Sequence, residues 1–333
     1  MRSNSPVGPP QLRFAALLLL SLIGVSSAVG QAPAPLPASL YESPGRLVTL
    51  PDRRRLNIRC FGQGSPTVLL ESGFGAGSFA WGRVQPIVAR ATRVCAYDRA
   101  GYGFSDPGPM PRDAAAIARD LDAALRVAGV TGPYIVVGHS AGGLYASVFA
   151  ARRARDVVGM VLVDSSAPYQ EKRFEALFGP GAGSLDGLRA KVAECLSMTL
   201  EPSAYAAGPA RERCAPAALK GHDLALALRP ETWRTQASEL DELAAGASEQ
   251  VEEAAPALRG IPVTVLTAST RPDGVPAPME DVGAGAWQAM HRQMAAAHRR
   301  NEVRLVRSSH LMMNDRPEVV AAAILQFMPP ARR

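Results

Sequence analysis

Gly138-His139-Ser140-Ala141-Gly142-Gly143 sets a serine between glycines, directly after the β-branched run Tyr134 to Val137 and ahead of the small, apolar stretch Ala141 to Arg153. A serine hydroxyl in this setting is suited to nucleophilic attack on an acyl carbon. The G-x-S-x-G pattern needs a strand before it and a helix after it, because the turn strains the serine backbone and neighbouring chain must pass without meeting a Cβ. Gly138 and Gly142 meet that need. The strand then carries the hydroxyl to the carboxyl edge of a sheet, and the helix offers its positive end and free N–H groups.

A serine at its own pKa is a poor nucleophile, so a base must take its proton. Five histidines are available. His139 adjoins the serine and points elsewhere on the turn, His222 lies in a helical middle region, and His291 and His298 lie in a charged helical stretch that predicts a solvated face. His310, in Ser308-Ser309-His310, follows the strand-like run Val303 to Val306 and precedes the last helix, at the same sheet edge as Ser140; the order Ser then His makes it the expected base. Two aspartates compete to orient it. Asp164 ends the run Val157 to Val163, and Asp273 follows Val263 to Thr267 in the turn Arg-Pro-Asp-Gly; each also suits an ordinary loop role. An oxyanion needs two backbone donors. Ala141 N–H is the first, and Phe74 N–H, in Glu71-Ser72-Gly73-Phe74-Gly75-Ala76-Gly77-Ser78, is the second.

That glycine-rich segment also approaches a dinucleotide fingerprint, with Asp98 ending the next strand. Its third glycine position is Ser78, and a dinucleotide fold leaves the serine turn and His310 unexplained. No HExxH or comparable ligand spacing points to a metal. The chain is therefore expected to need no cofactor.

Elements must hold these residues in place. From Arg46 the chain alternates apolar runs (Thr67 to Leu70, Val94 to Tyr97, Tyr134 to Val137, Val157 to Val163, Val263 to Thr267, Val303 to Val306) with amphipathic stretches such as Asp113 to Val127 and Pro317 to Phe327. The runs lack strict polar alternation, as in strands covered on both faces, and the rhythm predicts an α/β fold with a mostly parallel sheet between helices. It breaks between Tyr169 and Arg259, which reads as a helical insertion resembling a lid.

The 333 residues and 47% hydrophobic content allow a sizeable core. Arg2 and Arg13, the apolar run Phe14 to Val25 and the small residues Ser26 to Ala28 have the layout of a secretory leader, cleaved after Ala28 or Ala32. The apolar run is about a dozen residues, short of the roughly 20 that span a bilayer. The expected organisation is a signal peptide over 1–32, an Ala/Pro-rich tether over 33–45, a first core segment over 46–169, a helical cap over 170–259 and a second core segment over 260–333. The expected location is periplasmic or extracellular, with no stable membrane anchor after cleavage. Removing Arg2 and Arg13 lowers the formal charge from +6 to +4, and the basic triplet Arg53 to Arg55 reads as solvated surface rather than a nucleic-acid site. Of the four cysteines, Cys60 and Cys95 lie in strand-like runs and Cys195 and Cys214 in the helical middle; pairing within each set is the working assumption for an oxidising compartment.

With these residues in view, the chain resembles the α/β-hydrolase superfamily from roughly Arg46 to Phe327. The matching motifs are Ser72-Gly73-Phe74-Gly75, Tyr97-Asp98-Arg99-Ala100-Gly101-Tyr102-Gly103-Phe104-Ser105-Asp106, Gly138 to Gly143, and the late His310. The resemblance implies an eight-stranded sheet ordered 1-2-4-3-5-6-7-8 with the second strand antiparallel and a helical cap after the sixth. That order places the strands of Cys60 and Cys95 side by side. The family's usual acid site, after the seventh strand, falls near Thr270, which cannot serve; some lipases and haloalkane dehalogenases place it after the sixth, where Asp164 stands. Asp164 is therefore preferred, with Asp273 as the alternative. A serine rather than an aspartate at position 140 excludes epoxide-hydrolase and dehalogenase chemistry. That leaves hydrolysis of an ester, lactone, amide or carbon–carbon bond, or a perhydrolase-like side activity. A carboxylic-ester hydrolase acting on a small, apolar ester-like substrate is the first expectation, and an idle ligand-binding or sensing protein of the same fold is the alternative. Phe74, Trp81, Tyr169, Met312 and Met313 are candidates for an apolar pocket, or else for core.

Overall fold

The computed structural model describes residues 34–203, 208–269 and 280–330; the leader over 1–32 and the alternative acid Asp273 lie outside these. Eight strands form one sheet: β1 (Arg46–Thr49), β2 (Arg55–Phe61), β3 (Thr67–Glu71), β4 (Val94–Tyr97), β5 (Tyr134–His139), β6 (Val157–Val163), β7 (Val263–Ala268) and β8 (Asn301–Val306). Their order is β1-β2-β4-β3-β5-β6-β7-β8, as the resemblance implies. β2 runs antiparallel to β1 and β4, and the other neighbours are parallel.

Before β6 come α1 (Gln85–Val88), α2 (Ala114–Ala128) and α3 (Ala141–Arg152). Between β6 and β7 the described residues form only helices: α4 (Gln170–Phe178), α5 (Asp186–Leu200), α6 (Pro209–Cys214), α7 (Gly221–Ala227), α8 (Pro230–Ala244) and α9 (Gly246–Leu258). α10 (Glu280–Ala296), α11 (Met312–Asp315) and α12 (Pro317–Leu325) complete the chain. Local chemistry sets several ends. Asp113 caps α2 by accepting the Ala116 N–H at 2.6 Å, and Gly129 closes it at φ 68°.

The apolar runs are continuous because both faces of the sheet are covered. Val136, Met160, Leu162 and Val265 point to one side and pack with Leu121 and Leu125 of α2, Phe149 of α3 and Leu258 of α9. Ile135, Val137, Val161 and Val163 point to the other, against Val88 of α1 and Val320 and Ile324 of α12. Trp81, Met312 and Met313 are fully buried in this second layer, so they are core rather than pocket. β3 and β5 lie side by side while their neighbours β4 and β6 continue in opposite directions, so the loops leaving β3 and β5 border the crevice where open α/β sheets place their ligands.

Two disulfides are formed. Cys60 and Cys95 are directly opposed on β2 and β4, and Cys195 of α5 is joined to Cys214 of α6. Within the stretch expected to be a tether, residues 38–41 form a short 3-10 turn, Leu36 N–H donates to Gly82 O at 2.9 Å and Tyr41 OH donates to Gln85 at 3.2 Å. This part is docked because its peptide and phenol groups find partners on the core. Of the basic triplet, Arg53 and Arg55 are exposed as expected, and Arg54 alone turns inward, making a two-point ion pair with Asp120, which Arg112 shares.

Candidate active site

Ser140 sits where β5 gives way to α3, at φ 52° and ψ −130°, a backbone conformation unusual for a residue with a Cβ. The turn permits no side chain two residues to either side of it. A Cβ on Gly138 lies 2.5 Å from Gly142 O, and one on Gly142 lies 2.5 Å from Ser72 O and 2.7 Å from Glu71 O. The glycines thus let the loop after β3 press against the serine turn, and Gly73 packs on His139 and Ser140.

His310 and Asp164 meet across the carboxyl edge. His310 Nδ1 lies 2.7 Å from Asp164 Oδ2, which makes Nδ1 the protonated nitrogen and leaves Nε2 as the basic one. Asp164, itself at φ 41°, takes two further donors on Oδ1: Ala268 N–H at 2.9 Å and Trp287 Nε1–H at 2.8 Å. Burial opposes ionisation here, but the hydrogen bonds from His310, Trp287 and Ala268 outweigh it and hold the carboxyl below its ordinary range. The imidazole is brought beside the serine turn by His139, whose Nε2 lies 2.9 Å from His310 O and whose ring centre is 4.7 Å from that of His310. Burial, reinforced by His310, pushes His139 down to about 3, so it stays neutral. Among the described residues no hydrogen bond joins Ser140 to His310 Nε2; contacts of this kind commonly tighten only with substrate in place.

The loop after β3 is held from below. Asp98 accepts from Ser78 N–H at 2.7 Å, Phe104 N–H at 3.1 Å and Asn57 Nδ2 at 2.8 Å, so the aspartate that follows β4 braces the loop after β3. Arg99, wholly buried, reaches the carbonyls of Ser72 and Gly73 and pairs with Glu71 of β3 and Glu239 of α8. Among the described residues, no hydrogen bond uses the N–H of Phe74 or of Ala141. Phe74 packs both with the apolar cluster of α5 and α8 and with Ala141 and Leu144 of α3.

His291 and His298 were expected on a solvated face, yet both are buried. His291 Nδ1 is 2.7 Å from Thr267 Oγ1 and its Nε2 is 2.8 Å from Ser165 O, while His298 Nδ1 is 2.8 Å from Ile261 O. α10 lies along the sheet, so Trp287 and His291, four residues apart, share the face that supports Asp164 and Ser165. That spacing was the available signal, masked by the charged residues around it. His222 stacks on Phe104 at 3.6 Å. Tyr169 donates to Glu252 and its N–H to Ser248. A cavity of about 1030 Å³ lies between the insertion (His222, Trp233), the loop carrying Gly75 and Phe79, and Tyr41; neither Ser140 nor His310 lines it.

A serine at a strained β5–α3 turn, at the carboxyl edge of a sheet of this order, is the architecture of the α/β hydrolases. The chain belongs to the alpha/beta hydrolase family, whose model matches residues 68–323. It is 34% identical over 154 residues to an uncharacterized protein of Schizosaccharomyces pombe, covering 38% of this chain and 29% of that protein. It is 35% identical over 133 residues to an AB hydrolase superfamily protein of Gibberella zeae, covering 38% of this chain and 40% of that one. The matched stretch thus spans well under half the length of these curated relatives. Among solved structures it is similar to a thermophilic esterase from Thermogutta terrifontis (TM-score 0.58, 21% identity, 86% of this chain and 98% of that one). It is also similar to an enol-lactonase from Burkholderia xenovorans (TM-score 0.57, 18% identity, 85% and 99%) and to a haloalkane dehalogenase loop variant from Bradyrhizobium elkanii (TM-score 0.59, 21% identity, 85% and 95%). The similarity to these structures shows the fold, and membership of the family rests on the model that matches residues 68–323.

Proposed function

We propose that this chain is an exported serine hydrolase that cleaves a carboxylic ester or similar acyl bond. The observation that carries the reading is the Asp164–His310 pair, held at 2.7 Å beside a serine at φ 52°. His310 Nε2 takes the Ser140 proton as Oγ attacks the acyl carbon, and Asp164 fixes the tautomer and stabilises the imidazolium. Neutral His139 adds no competing positive charge. The free N–H groups of Phe74 and Ala141 receive the oxyanion, and the protonated His310 releases the alcohol. Water, activated in turn by His310, then hydrolyses the acyl-enzyme. The helices α4 to α8 form the cap over this edge, with Phe74 contributing an apolar wall for a small ester-like substrate.

Export is supported by the leader pattern and by the two disulfides, which suit an oxidising compartment. Among the described residues no helix is long and apolar enough to cross a membrane. A fluorophosphonate probe tests the central claim: the wild type is expected to be labelled at Ser140 and Ser140→Ala to remain unlabelled. Absence of labelling in folded wild type would sink the serine mechanism, while labelling without turnover of esters of graded chain length would favour an idle binding protein.

A further inference from the structure

The oxyanion donor Phe74 N–H belongs to the same peptide unit as Gly73 C=O. That peptide is trans, so its C=O and N–H point in opposite directions. Whatever holds the carbonyl therefore aims the donor. The holder is Arg99: Nη2 donates to Gly73 O at 3.0 Å, and Nη1 donates to Ser72 O at 2.7 Å.

The guanidinium is fixed from its other sides. Nη1 also meets Glu71 Oε1 at 2.9 Å, and Nε and Nη2 meet Glu239 Oε1 and Oε2 at 3.0 and 3.1 Å. Tyr102 OH donates to Glu239 at 2.8 Å, and the Tyr102 ring lies 4.6 Å from the guanidinium carbon. Arg99 and Glu239 are 1% and 0% exposed, so this geometry is neither screened nor loosened by water. Only a planar fork can serve two carboxylates and two successive carbonyls together; an ammonium in its place is a compact point charge without that geometry.

We infer that Arg99 is a positioning residue for the oxyanion donor, and that Glu239 of the insertion, by holding Arg99, makes the seating of α8 a condition for an aimed Phe74 N–H. The inference rests on the serine-hydrolase reading and deepens it. A guanidinium on Gly73 O also polarises the peptide, strengthening the N–H as a donor to developing negative charge. Its effect therefore falls on the tetrahedral state more than on substrate binding.

The test is Arg99→Lys, folded as judged by circular dichroism and a cooperative melt, assayed against the best ester. Loss of a whole oxyanion donor costs on the order of 100- to 1000-fold in kcat, and a misaimed one is expected to cost about 10- to 100-fold, with KM changed less than about threefold. The affinity for a trifluoromethyl ketone, which mimics the tetrahedral adduct, should fall in parallel. Glu239→Gln, which keeps the shape but weakens the grip, is expected to lower kcat about three- to tenfold with the same signature; it is the deciding variant if Arg99→Lys does not fold. Unchanged kcat and ketone affinity, or a rise in KM alone, overturns the inference while leaving the hydrolase reading intact. If the wild type hydrolyses nothing and resists the phosphonate probe, the hydrolase reading fails separately. The Phe74 amide resonance of protein labelled with ¹⁵N-phenylalanine then decides the structural claim: it moves in Glu239→Gln if the guanidinium aims the peptide, and an unmoved resonance overturns it.

Discussion

At Asp164 three donors converge on one carboxylate from three parts of the chain, which is why a residue ending a strand can hold an imidazole in one tautomer. Asp164→Asn presents an amide that no longer favours Nδ1–H, so kcat is expected to fall about 10³- to 10⁴-fold, as when the acid of a comparable triad is neutralised, while Asp273→Asn retains most activity. Steady-state kinetics on both variants checks the choice. The buried histidines give a second expectation. His139, His291 and His298 are all pushed below their ordinary value by burial, so below about pH 6.5 the unfolded chain binds more protons than the folded one, and stability falls as pH drops. The loss is up to roughly 1.4 kcal/mol per pH unit for each histidine, and for His139 it continues to about pH 3. Urea unfolding between pH 7.5 and 5 measures it, and a flat profile would contradict the burial argument. That the Ser140 turn and His310 share one edge of the sheet was legible from the strand and helix around the serine and from the place of His310 after the last strand. Trp287 and His291 were not, because their partners are fixed by how α10 lies on the sheet, which local charge does not reveal.

At the scale of elements, the strands were readable because burial on both faces leaves uninterrupted apolar runs. The insertion was readable as helical because its Ala- and Leu-rich sequence lacks β-branched runs. Less legible was the traffic between loops: nothing local to Asp98 says that it braces the β3 loop, and Phe74, Trp81, Met312 and Met313 looked alike in sequence although only Phe74 of these packs against Ala141 of the serine turn. The contact between loop and turn yields a sharp expectation. Gly142→Ala sets a Cβ 2.5 Å from Ser72 O and 2.7 Å from Glu71 O, both backbone atoms that cannot swing aside. Phosphonate labelling should drop by more than about tenfold even where the variant still folds, since overpacking of this kind costs about 1–3 kcal/mol or is relieved by moving the oxyanion loop. Labelling at the wild-type rate would show that the turn has slack.

For the molecule as a whole, the two disulfides brace different parts. Cys60–Cys95 closes a loop of sequence separation 35 at the antiparallel end of the sheet, and Cys195–Cys214 closes one of 19 inside the insertion. Replacing Cys60 and Cys95 together by alanine is expected to lower global stability by about 2–4 kcal/mol in urea unfolding. The corresponding Cys195 and Cys214 pair should affect chiefly the insertion, read as faster proteolysis of α5 to α7 with the core transition less changed. The parallel alignment of β6 and β7 has a consequence for exchanging parts between relatives. A chain leaving β6 at the carboxyl edge must travel back to the amino edge before β7 begins, and α9, lying on α3, makes that return. The exchangeable module is therefore α4 to α8, on condition that the incoming α8 keeps a carboxylate at the place of Glu239 for Arg99, with its seams at Tyr169 and at Ala245, between α8 and α9. A graft that carries α9 away with it removes part of the host's own frame.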